Sequence, residues 1–342
     1  MSASSKRSVV SVILAAGKGT RMKSELPKVL HPLMGKPLVA YVIDACKKAN
    51  AERNIIVIGH QAELVKKQLG SGLEYVEQTQ QLGTGHALMI AAENLKNFKG
   101  DLLVLAGDTP FLTGEILKKL IKRHQQTGAA ASLLTAHIDP PLSYGRIIRD
   151  ENGKIRKIVE ARDATPEELD VIEINTSHYC FKAEKALPLL SQLTTANDQG
   201  EYYLTDIIHL LVNKQERVES ILAKDPNVVI GINNRKHLGE AHQLLRKMLV
   251  DEWSEKGVTF VDPDSVMIGP DVKIGSDTTI LPFTSLLGHT KIDKNCVIGP
   301  QVKLTNAHIG ANCTVEFAVI EDRKVEKDQK IGPFAALYNK EI

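Results

Sequence analysis

A repeat of six residues near the end of the chain restricts the fold more than any other feature of the sequence. Seven aliphatic side chains stand six residues apart without a break, at Ile268, Ile274, Ile280, Leu286, Ile292, Ile298 and Leu304. The series continues, with occasional steps of five, at Ile309, Val315, Ile320, Val325, Ile331 and Leu337. A period of six fits neither an α-helix nor a flat strand, and it is typical of a parallel β-helix with one aliphatic side chain per rung pointing inward. We therefore predict a left-handed β-helix, with about four three-sided coils over residues 262–338 of a domain that spans 258–342.

The chain before this repeat alternates between short apolar runs and amphipathic segments. Strands are predicted at Val9–Ala15, Asn54–Ile58, Asp101–Ala106 and Ala130–Ala136. Helices are predicted at Leu38–Ala49, His60–Leu69, Gly85–Leu95 and Gly114–Thr127. Strands that are apolar along their length indicate burial on both faces, and their alternation with helices predicts a Rossmann-like, mainly parallel α/β sheet. Ligands of such sheets bind beyond the carboxyl ends of the strands.

Two further segments complete the predicted organisation. Tyr144–Arg149 and Ile155–Glu160 read as a hairpin, and Ile172–Lys182 reads as a further strand, so we expect a β-rich insert over the sheet edge. Apolar residues at helical spacing predict a linking helix from Asn234 to Lys256. The predicted domains are the α/β domain at 1–233, the linking helix at 234–257 and the β-helix at 258–342.

The charge and composition of the chain exclude several classes of function. The 43 basic and 41 acidic residues give a net charge of +2, which provides no general attraction to nucleic acid or an anionic membrane. The four cysteines, Cys46, Cys180, Cys296 and Cys313, form no C-x-x-C pair, so a zinc or redox motif has no support. No apolar stretch approaches the roughly 18 residues that span a bilayer. We expect a cytoplasmic protein without a nucleic-acid or membrane partner.

A glycine-rich loop directly after the first predicted strand is the segment most informative about chemistry. The loop is Leu14–Met22, and Pro27–Leu30 follows shortly after. Its small residues let backbone N–H groups approach a base or a phosphate, and Thr20, Arg21 and Lys28 offer donors and positive charge. The loop lacks the third glycine of a dinucleotide-binding fingerprint, and the P-loop pattern G-x-x-x-x-G-K-[ST] does not occur. The loop therefore predicts a site for a nucleotide and its phosphates.

These segments resemble the bacterial bifunctional N-acetylglucosamine-1-phosphate uridyltransferase/glucosamine-1-phosphate acetyltransferase family. The resemblance rests first on LAAGKGTRM and PKVLH and covers about residues 8–338. Further matching segments are QLGTGHA (Gln81–Ala87), GDTP (Gly107–Pro110), YGRI (Tyr144–Ile147), IVEARDAT (Ile158–Thr165), EINT (Glu173–Thr176), GEYYLTD (Gly200–Asp206) and GINNR (Gly231–Arg235). The resemblance implies transfer of UMP from UTP to N-acetylglucosamine-1-phosphate, giving pyrophosphate and UDP-N-acetylglucosamine for cell-envelope precursors such as those of peptidoglycan and lipopolysaccharide.

The resemblance also implies ligand positions in this sequence. The residues implied to surround the uracil and its nearby phosphate are Leu14, Ala15, Ala16, Gly17, Gln78, Gly83 and Thr84. Those implied to bind the N-acetylglucosamine are Gly145, Glu160 and Asn175, and the further implied substrate contacts are Gly107 and Asn233. The implied Mg²⁺ ligands are Asp108 and Asn233, and the implied catalytic residues, which hold phosphates, are Arg21 and Lys28.

The polar members of this set also have ordinary structural explanations. Asp108 can be a turn-forming residue, and Asn233 can be a helix N-cap. Asn175 can be a polar residue at a strand end, and Glu160 can be a solvated carboxylate of the hairpin. One position departs from the family pattern, because Ala106 stands where the family often has Tyr, which removes a possible contact near the substrate.

The resemblance carries expectations for the β-helix as well. The acetyltransferase residues of the family lie in later coils and a C-terminal tail, and this sequence reaches only Ile331–Ala335, where they would begin. His289 and His308 match no acetyltransferase motif, so we expect no acetyltransferase activity. A β-helix of this type implies a homotrimer. Two alternatives stay open for the function: a nucleotidyltransferase of other base or sugar specificity, and a non-catalytic nucleotide-sugar-binding scaffold.

Overall fold

The computed structural model describes residues 7–140 and 143–338, which form two compact units. The first unit holds the described residues up to His31 together with Leu38–Asn233, and the second holds Pro32–Pro37 and the chain from Asn234 onward. The division at Asn233 places the α/β region and the six-residue repeat in different units. Within the described ranges, no helix is both long and apolar enough to cross a membrane.

The first unit is built around a nine-stranded, mainly parallel sheet. Its strands are β1 (Val9–Leu14), β2 (Arg53–Ile58), β3 (Glu74–Glu77), β4 (Asp101–Ala106), β5 (Ala131–His137), β6 (Arg146–Arg149), β7 (Ile155–Val159), β8 (Glu173–Lys182) and β9 (Val218–Leu222). The strand order is β9-β5-β8-β4-β1-β2-β3, and β6 and β7 form a hairpin joined to β8. The pairs along this path are parallel except those of β8, which runs antiparallel to both β4 and β5.

Helices cover both faces of this sheet. The α-helices of the first unit are Leu38–Lys48, Ala62–Leu69, Thr84–Ala92, Gly114–Thr127, Pro166–Leu169, Ala183–Ala186 and Asp206–Asn213. Short 3-10 helices span Thr20–Met22, Lys28–Leu30, Glu93–Leu95, Leu187–Gln192 and Pro226–Val229. Because side chains alternate along a strand, Val10 and Val12 of β1 enter one apolar cluster while Val9 and Ile13 enter the other. The predicted α/β fold with a mainly parallel, doubly covered sheet is confirmed.

The β-rich insert differs from its predicted position over the sheet edge. The hairpin of β6 and β7 forms as predicted, but β8 lies in the interior of the sheet, between β4 and β5. The reason is burial on both faces, since Tyr179 packs in one apolar cluster and Cys180 in the other. A strand with two apolar faces is stable only where helices cover both sides of the sheet.

The second unit begins with a long helix and continues as a β-helix. The helix spans Arg235–Glu255, and the Asn234 side chain caps it by accepting a 2.8 Å hydrogen bond from the backbone N–H of His237. A small hairpin of Pro32–Leu33 and Lys36–Pro37 and a 3-10 helix at Pro263–Ser265 also belong to this unit.

Three parallel ladders of short strands form the three sides of the β-helix. The first ladder consists of Thr259–Phe260, Thr279–Ile280, Val297–Ile298, Thr314–Val315 and Lys330–Ile331. The second consists of Met267–Ile268, Ser285–Leu287, Lys303–Thr305, Ala318–Glu321 and Ala335–Tyr338. The third consists of Lys273–Ile274, Lys291–Ile292, His308–Ile309 and Lys324–Val325. This arrangement confirms the left-handed β-helix of hexapeptide repeats.

The six-residue repeat supplies the interior of the β-helix. Ile280, Ile298 and Val315 stand one above the other in the first ladder and are 0% exposed. Paired strands of this ladder begin at Thr279, Val297, Thr314 and Lys330, so the coils shorten from 18 to 17 to 16 residues. The coil of 17 residues contains one step of five and the coil of 16 contains two, which accounts for the three steps of five in the repeat.

Candidate active site

A cavity of about 390 Å³ lies at the carboxyl ends of β1 and β4 in the first unit. Ten of the residues implied by the family resemblance line it: Leu14, Ala15, Ala16, Gly17, Lys28, Gln78, Gly83, Thr84, Asp108 and Glu160. Ala106, the position that departs from the family, lines it as well. The location is the one that a parallel α/β sheet favours for ligands, because the strand ends open there without covering helices.

The glycine-rich loop leaves β1 with its backbone tied to the neighbouring strands. Ala15 N–H donates to Val57 O at 2.8 Å, and Gly107 N–H donates to Leu14 O at 3.0 Å. Gly19 has a φ of +60°, and a Cβ there would lie 2.5 Å from the Cβ of Lys28. Glycine at this position therefore lets the loop pass close to Lys28 and brings that side chain to the cavity wall.

Four of the implied residues meet in one charged cluster beside the loop. Lys28 Nζ forms an ion pair with Asp108 Oδ2 and donates to Asn233 Oδ1 at 3.2 Å. Arg21 Nη2 donates to the same Asn233 oxygen at 2.9 Å. The Ile232 N–H donates to Asp108 O at 2.9 Å, which holds the segment before Asn233 against the end of β4. Residues more than 200 positions apart in sequence thus share one site.

The structure assigns neither the Asp108 nor the Asn233 side chain to the ordinary structural role that its position suggested. The cap of the following helix is Asn234, so Asn233 is not the N-cap that its position suggested. The Asp108 carboxylate is paired with Lys28 rather than with the backbone of its own turn. The Asp108 side chain lines the cavity, and the Asn233 amide oxygen lies on Lys28, which lines it as well.

The oxygens of Asp108 and Asn233 both contact the Lys28 ammonium. Mg²⁺ takes oxygen ligands and keeps much of its sphere for water and phosphate, so one carboxylate and one amide oxygen fit that ion. Across the described ranges, no group of three or more His, Cys, Asp or Glu side chains could hold a metal. The donor set suits a metal shared with a phosphate and does not suit a metal enclosed by protein.

Gln78 and the start of the helix Thr84–Ala92 form the opposite wall. Gln78 is buried, and its Nε2 lies 3.1 Å from Gly83 O and 3.0 Å from His86 Nδ1. With both amide hydrogens engaged in this way, Gln78 Oε1 is the acceptor left for a ligand. The Thr84 hydroxyl accepts from Leu204 N at 3.2 Å and ties this wall to a loop that also lines the cavity.

The remaining implied residues gather at a third wall, on the β6–β8 insert. Asn175 N–H donates to Gly145 O at 2.8 Å, and a Cβ on Gly145 would lie 3.3 Å from Glu160 Oε2. Glu160 Oε1 accepts from the Thr205 hydroxyl at 3.3 Å. Burial raises the pKa of Glu160, an effect that this hydrogen bond opposes. Glu160 is therefore a half-buried carboxylate on the cavity wall and not a fully solvated residue of the hairpin.

Some implied residues do not line the cavity, and some lining residues had not been implied. Gly107, Gly145, Asn175 and Asn233 do not line the cavity but each adjoins a residue that does, and Arg21 is bonded to Asn233. The additional lining residues with polar side chains include Gln81, Ser177, Tyr179, Tyr203 and Thr205. Thr205 lies inside the matching segment GEYYLTD, which was a usable signal. Tyr179 lies in a buried strand, where a tyrosine gives no sign of facing a ligand.

Comparison with known proteins gives two family matches along the chain. Residues 11–208 match the MobA-like NTP transferase domain, which contains most of the site just described. Residues 271–306 match the bacterial transferase hexapeptide repeat model, which lies within the β-helix.

Relatives similar over nearly the whole chain carry the name bifunctional protein GlmU. The one from Exiguobacterium sibiricum is 46% identical, over 95% of this chain and 73% of its own length. The one from Halalkalibacterium halodurans is 42% identical, over 95% of this chain and 71% of its own. The one from Enterococcus faecalis is 44% identical, with the same coverage of 95% and 71%.

Proposed function

We infer the function of this chain from one premise: the chain belongs to the GlmU family of bifunctional proteins. It is a nucleotidyltransferase that makes UDP-N-acetylglucosamine by uridylyl transfer to N-acetylglucosamine-1-phosphate. The alternatives of another base or sugar and of a non-catalytic scaffold find no support in the comparisons. We assign the reaction to the cavity of the first unit.

The observation that carries this assignment is that groups suited to bind phosphate and groups suited to bind a divalent ion lie together on one side of the cavity. The start of the glycine-rich loop, Lys28 and Asp108 line the cavity at the ends of β1 and β4, and Asn233 and Arg21 complete the charged cluster around Lys28. Polyphosphate binding requires N–H donors and positive charge, and a divalent ion requires oxygen ligands. A nucleoside triphosphate with its metal needs N–H donors, positive charge and oxygen ligands at the same site.

We propose that the chain's own residues act by positioning and charge neutralisation. An oxygen of the sugar phosphate attacks the α-phosphorus of UTP in line, a new P–O bond forms, and the bond to the leaving pyrophosphate breaks. No covalent enzyme intermediate is needed. Arg21 and Lys28 offset the negative charge of the reacting and departing phosphates. We propose Mg²⁺ as the ion, held by Asp108 and Asn233, where it would draw charge from the phosphate oxygens.

The other two walls support selection of the substrates. Uracil carries an N–H donor on its pairing edge, and Gln78 Oε1 offers a buried acceptor for such a donor. Glu160, Asn175 and Gly145 provide the polar groups for an acetylated amino sugar on the β6–β8 insert. A site built with buried polar groups rejects analogues that leave those groups unpaired.

Two proposals concern the β-helix. By family membership and the hexapeptide repeats, we propose that the chain is a homotrimer. We also propose that these 342 residues transfer no acetyl group. His308, one of the two imidazoles considered above, lies 3.3 Å from the Asp293 carboxylate, which also pairs with Lys291, so its imidazole belongs to a polar cluster on the surface of the β-helix. Release of free thiol from acetyl-CoA with glucosamine-1-phosphate would refute the second proposal.

The test of the proposed function is pyrophosphate release across a panel of substrates. We expect release with UTP, N-acetylglucosamine-1-phosphate and Mg²⁺, and much slower release when another nucleoside triphosphate or a sugar phosphate without the acetamido group replaces the natural substrate. Faster turnover of another pair would support another specificity. Tight UTP binding without pyrophosphate release would support the scaffold.

A further inference from the structure

Strand β8 is irregular where it passes the cavity. Asn175 pairs with Thr135 and Tyr179 with Leu133, so four positions along β8 correspond to two positions along β5. The two extra positions form a bulge in which Ser177 has a φ of +60°. A non-glycine residue in the left-handed region is uncommon, and bulges of this kind redirect side chains next to functional sites.

The bulge brings the Tyr179 hydroxyl onto the Asn175 side chain. Asn175 Nδ2 donates to Tyr179 Oη at 2.8 Å, and the Tyr179 hydroxyl lies 3.0 Å from Asn175 Oδ1. The backbone N–H of Ser177 also donates to Asn175 Oδ1, at 3.3 Å. Because a backbone N–H can only donate, the amide oxygen must face Ser177 and the amide nitrogen must take the other side.

The tyrosine itself is firmly placed. Tyr179 is 1% exposed, lines the cavity, and its ring stacks on Phe181 with centroids 5.4 Å apart. Burial raises the pKa of Tyr179 well above its ordinary value, and the nearby Glu160 charge acts in the same direction. The hydroxyl therefore keeps its proton, and with the amide oxygen facing Ser177 it accepts from Nδ2.

We propose that Tyr179 is a positioning residue that, together with the Ser177 N–H, holds the Asn175 amide with its oxygen turned toward the bulge and one Nδ2 hydrogen left for an acceptor oxygen of the sugar. The inference rests on the proposed role of Asn175 in sugar binding and deepens it. An amide held in this way can bind only a hydrogen-bond acceptor at one position of the sugar. A freely rotating amide could bind either an acceptor or a donor there. Tyr179 thus contributes to sugar selection through Asn175.

The variant that tests this is Tyr179→Phe, which removes the hydroxyl and keeps the ring on Phe181. We expect the KM for N-acetylglucosamine-1-phosphate to rise about tenfold, the size of one lost hydrogen bond that leaves a buried partner unpaired. The KM for UTP and kcat should change by less than about twofold, since neither depends on the sugar amide. The matched control is Tyr75→Phe, which removes a hydroxyl bonded to Gly70 O outside the cavity and should change neither KM.

A double variant separates positioning from an independent contact. If Tyr179 acts through Asn175, then Asn175→Ala with Tyr179→Phe is no worse for the sugar KM than Asn175→Ala alone. An unchanged sugar KM in active Tyr179→Phe, equal rises in both KM values, or additive losses in the double variant would each contradict the inference while leaving the proposed function intact.

Failure of the proposed function has a different signature. Wild-type protein that releases no pyrophosphate from UTP and N-acetylglucosamine-1-phosphate would contradict the function itself. In that case calorimetric titration with UDP-N-acetylglucosamine decides the inference. A Kd about tenfold weaker for Tyr179→Phe than for wild type supports it, and an equal Kd or no binding to either protein contradicts it.

Discussion

At the scale of single residues, the site is defined by what Lys28 contacts. Its ammonium joins Asp108 and Asn233, which come from the end of β4 and from the last residue of the first unit. A cation is favoured where two oxygens converge, and a divalent ion is favoured more strongly than a monovalent one once a phosphate adds its own oxygens. The roles proposed for these residues can each be tested by one substitution.

Asp108→Asn keeps the shape of the proposed metal ligand and removes its charge. We expect the Mg²⁺ concentration for half-maximal pyrophosphate release to rise about tenfold or more, because a hard cation loses its only charged protein ligand. The control is Asp251→Asn, which removes an exposed carboxylate paired with Lys247 in the second unit. A magnesium titration identical to that of wild type would remove Asp108 from the site.

Lys28→Ala removes a positive charge placed beside the phosphates. We expect kcat/KM to fall about a hundredfold or more, the typical loss for one preorganised electrostatic contact. Lys66→Ala is the matched control, since Lys66 pairs with Glu63 on the surface of the helix Ala62–Leu69. Near-normal turnover of Lys28→Ala would show that the proposed role is wrong.

His178 carries a prediction about stability and pH. It is fully buried in β8, neither ring nitrogen has a hydrogen-bond partner within the described ranges, and burial lowers its pKa from 6.5 to about 4. Between these values the unfolded chain binds a proton that the folded chain does not, so stability falls as the pH drops below about 6.5. With these two pKa values, the free energy of unfolding at pH 5 is lower by about 2 kcal/mol than at neutral pH.

The comparison that isolates this effect is His178→Leu against wild type. The loss of thermal stability between pH 7.5 and pH 5 should be smaller in the variant, because leucine has no proton to bind. His209→Gln, which alters an exposed imidazole, should follow wild type. An equal loss in His178→Leu and wild type would mean that His178 titrates normally in the folded protein.

At the scale of elements, the sequence predicted those parts whose residues follow a period. The six-residue repeat fixed the β-helix, and the apolar runs fixed β1, β2, β4 and β5, because burial acts directly on such patterns. The edge strands β3 and β9 were missed, since Glu74–Glu77 and Val218–Leu222 mix charged with apolar residues. The antiparallel direction of β8 could not be predicted from the sequence either, because a strand buried on both faces has the same apolar pattern in either direction.

The residues of the candidate site likewise divide into those that a sequence pattern predicted and those that it did not. The loop, Lys28 and Asp108 lie directly after strands or within a matching segment, so motif and position predicted them together. The contact of Tyr179 with Asn175 depends on two extra residues in a bulge, and no local pattern encodes the partner of a bulge. The choice of Asn234 over Asn233 as the helix cap likewise depends on backbone geometry.

At the scale of the whole molecule, the outward faces of the β-helix differ in character. The outward positions of the third ladder are Lys273, Lys291, His308 and Lys324. Those of the first ladder are Thr259, Thr279, Val297 and Thr314, which are short and uncharged, and Lys330 in its last strand. Like charges repel across a symmetric interface, so we expect the first ladder, not the third, to contact other copies in the proposed trimer.

Val297→Arg tests this assignment. We expect it to shift the protein from three times the monomer mass toward the monomer in analytical ultracentrifugation, because three arginines would be brought together near the symmetry axis. Lys291→Ala, on the lysine ladder, should leave the mass unchanged. Trimers of Val297→Arg together with monomers of Lys291→Ala would place the interface on the other face.

The central claim is that the glycine-rich loop and the oxygens of Asp108 and Asn233 jointly bind a nucleotide diphosphate and its metal. A crystal structure with UDP-N-acetylglucosamine and Mg²⁺ tests it most directly. We predict the diphosphate beside the Gly17–Arg21 loop, the ion within about 2.1 Å of an Asp108 oxygen, and the sugar against Glu160 and Asn175. A nucleotide sugar bound outside this cavity, or an ion without Asp108 as a ligand, would contradict the claim.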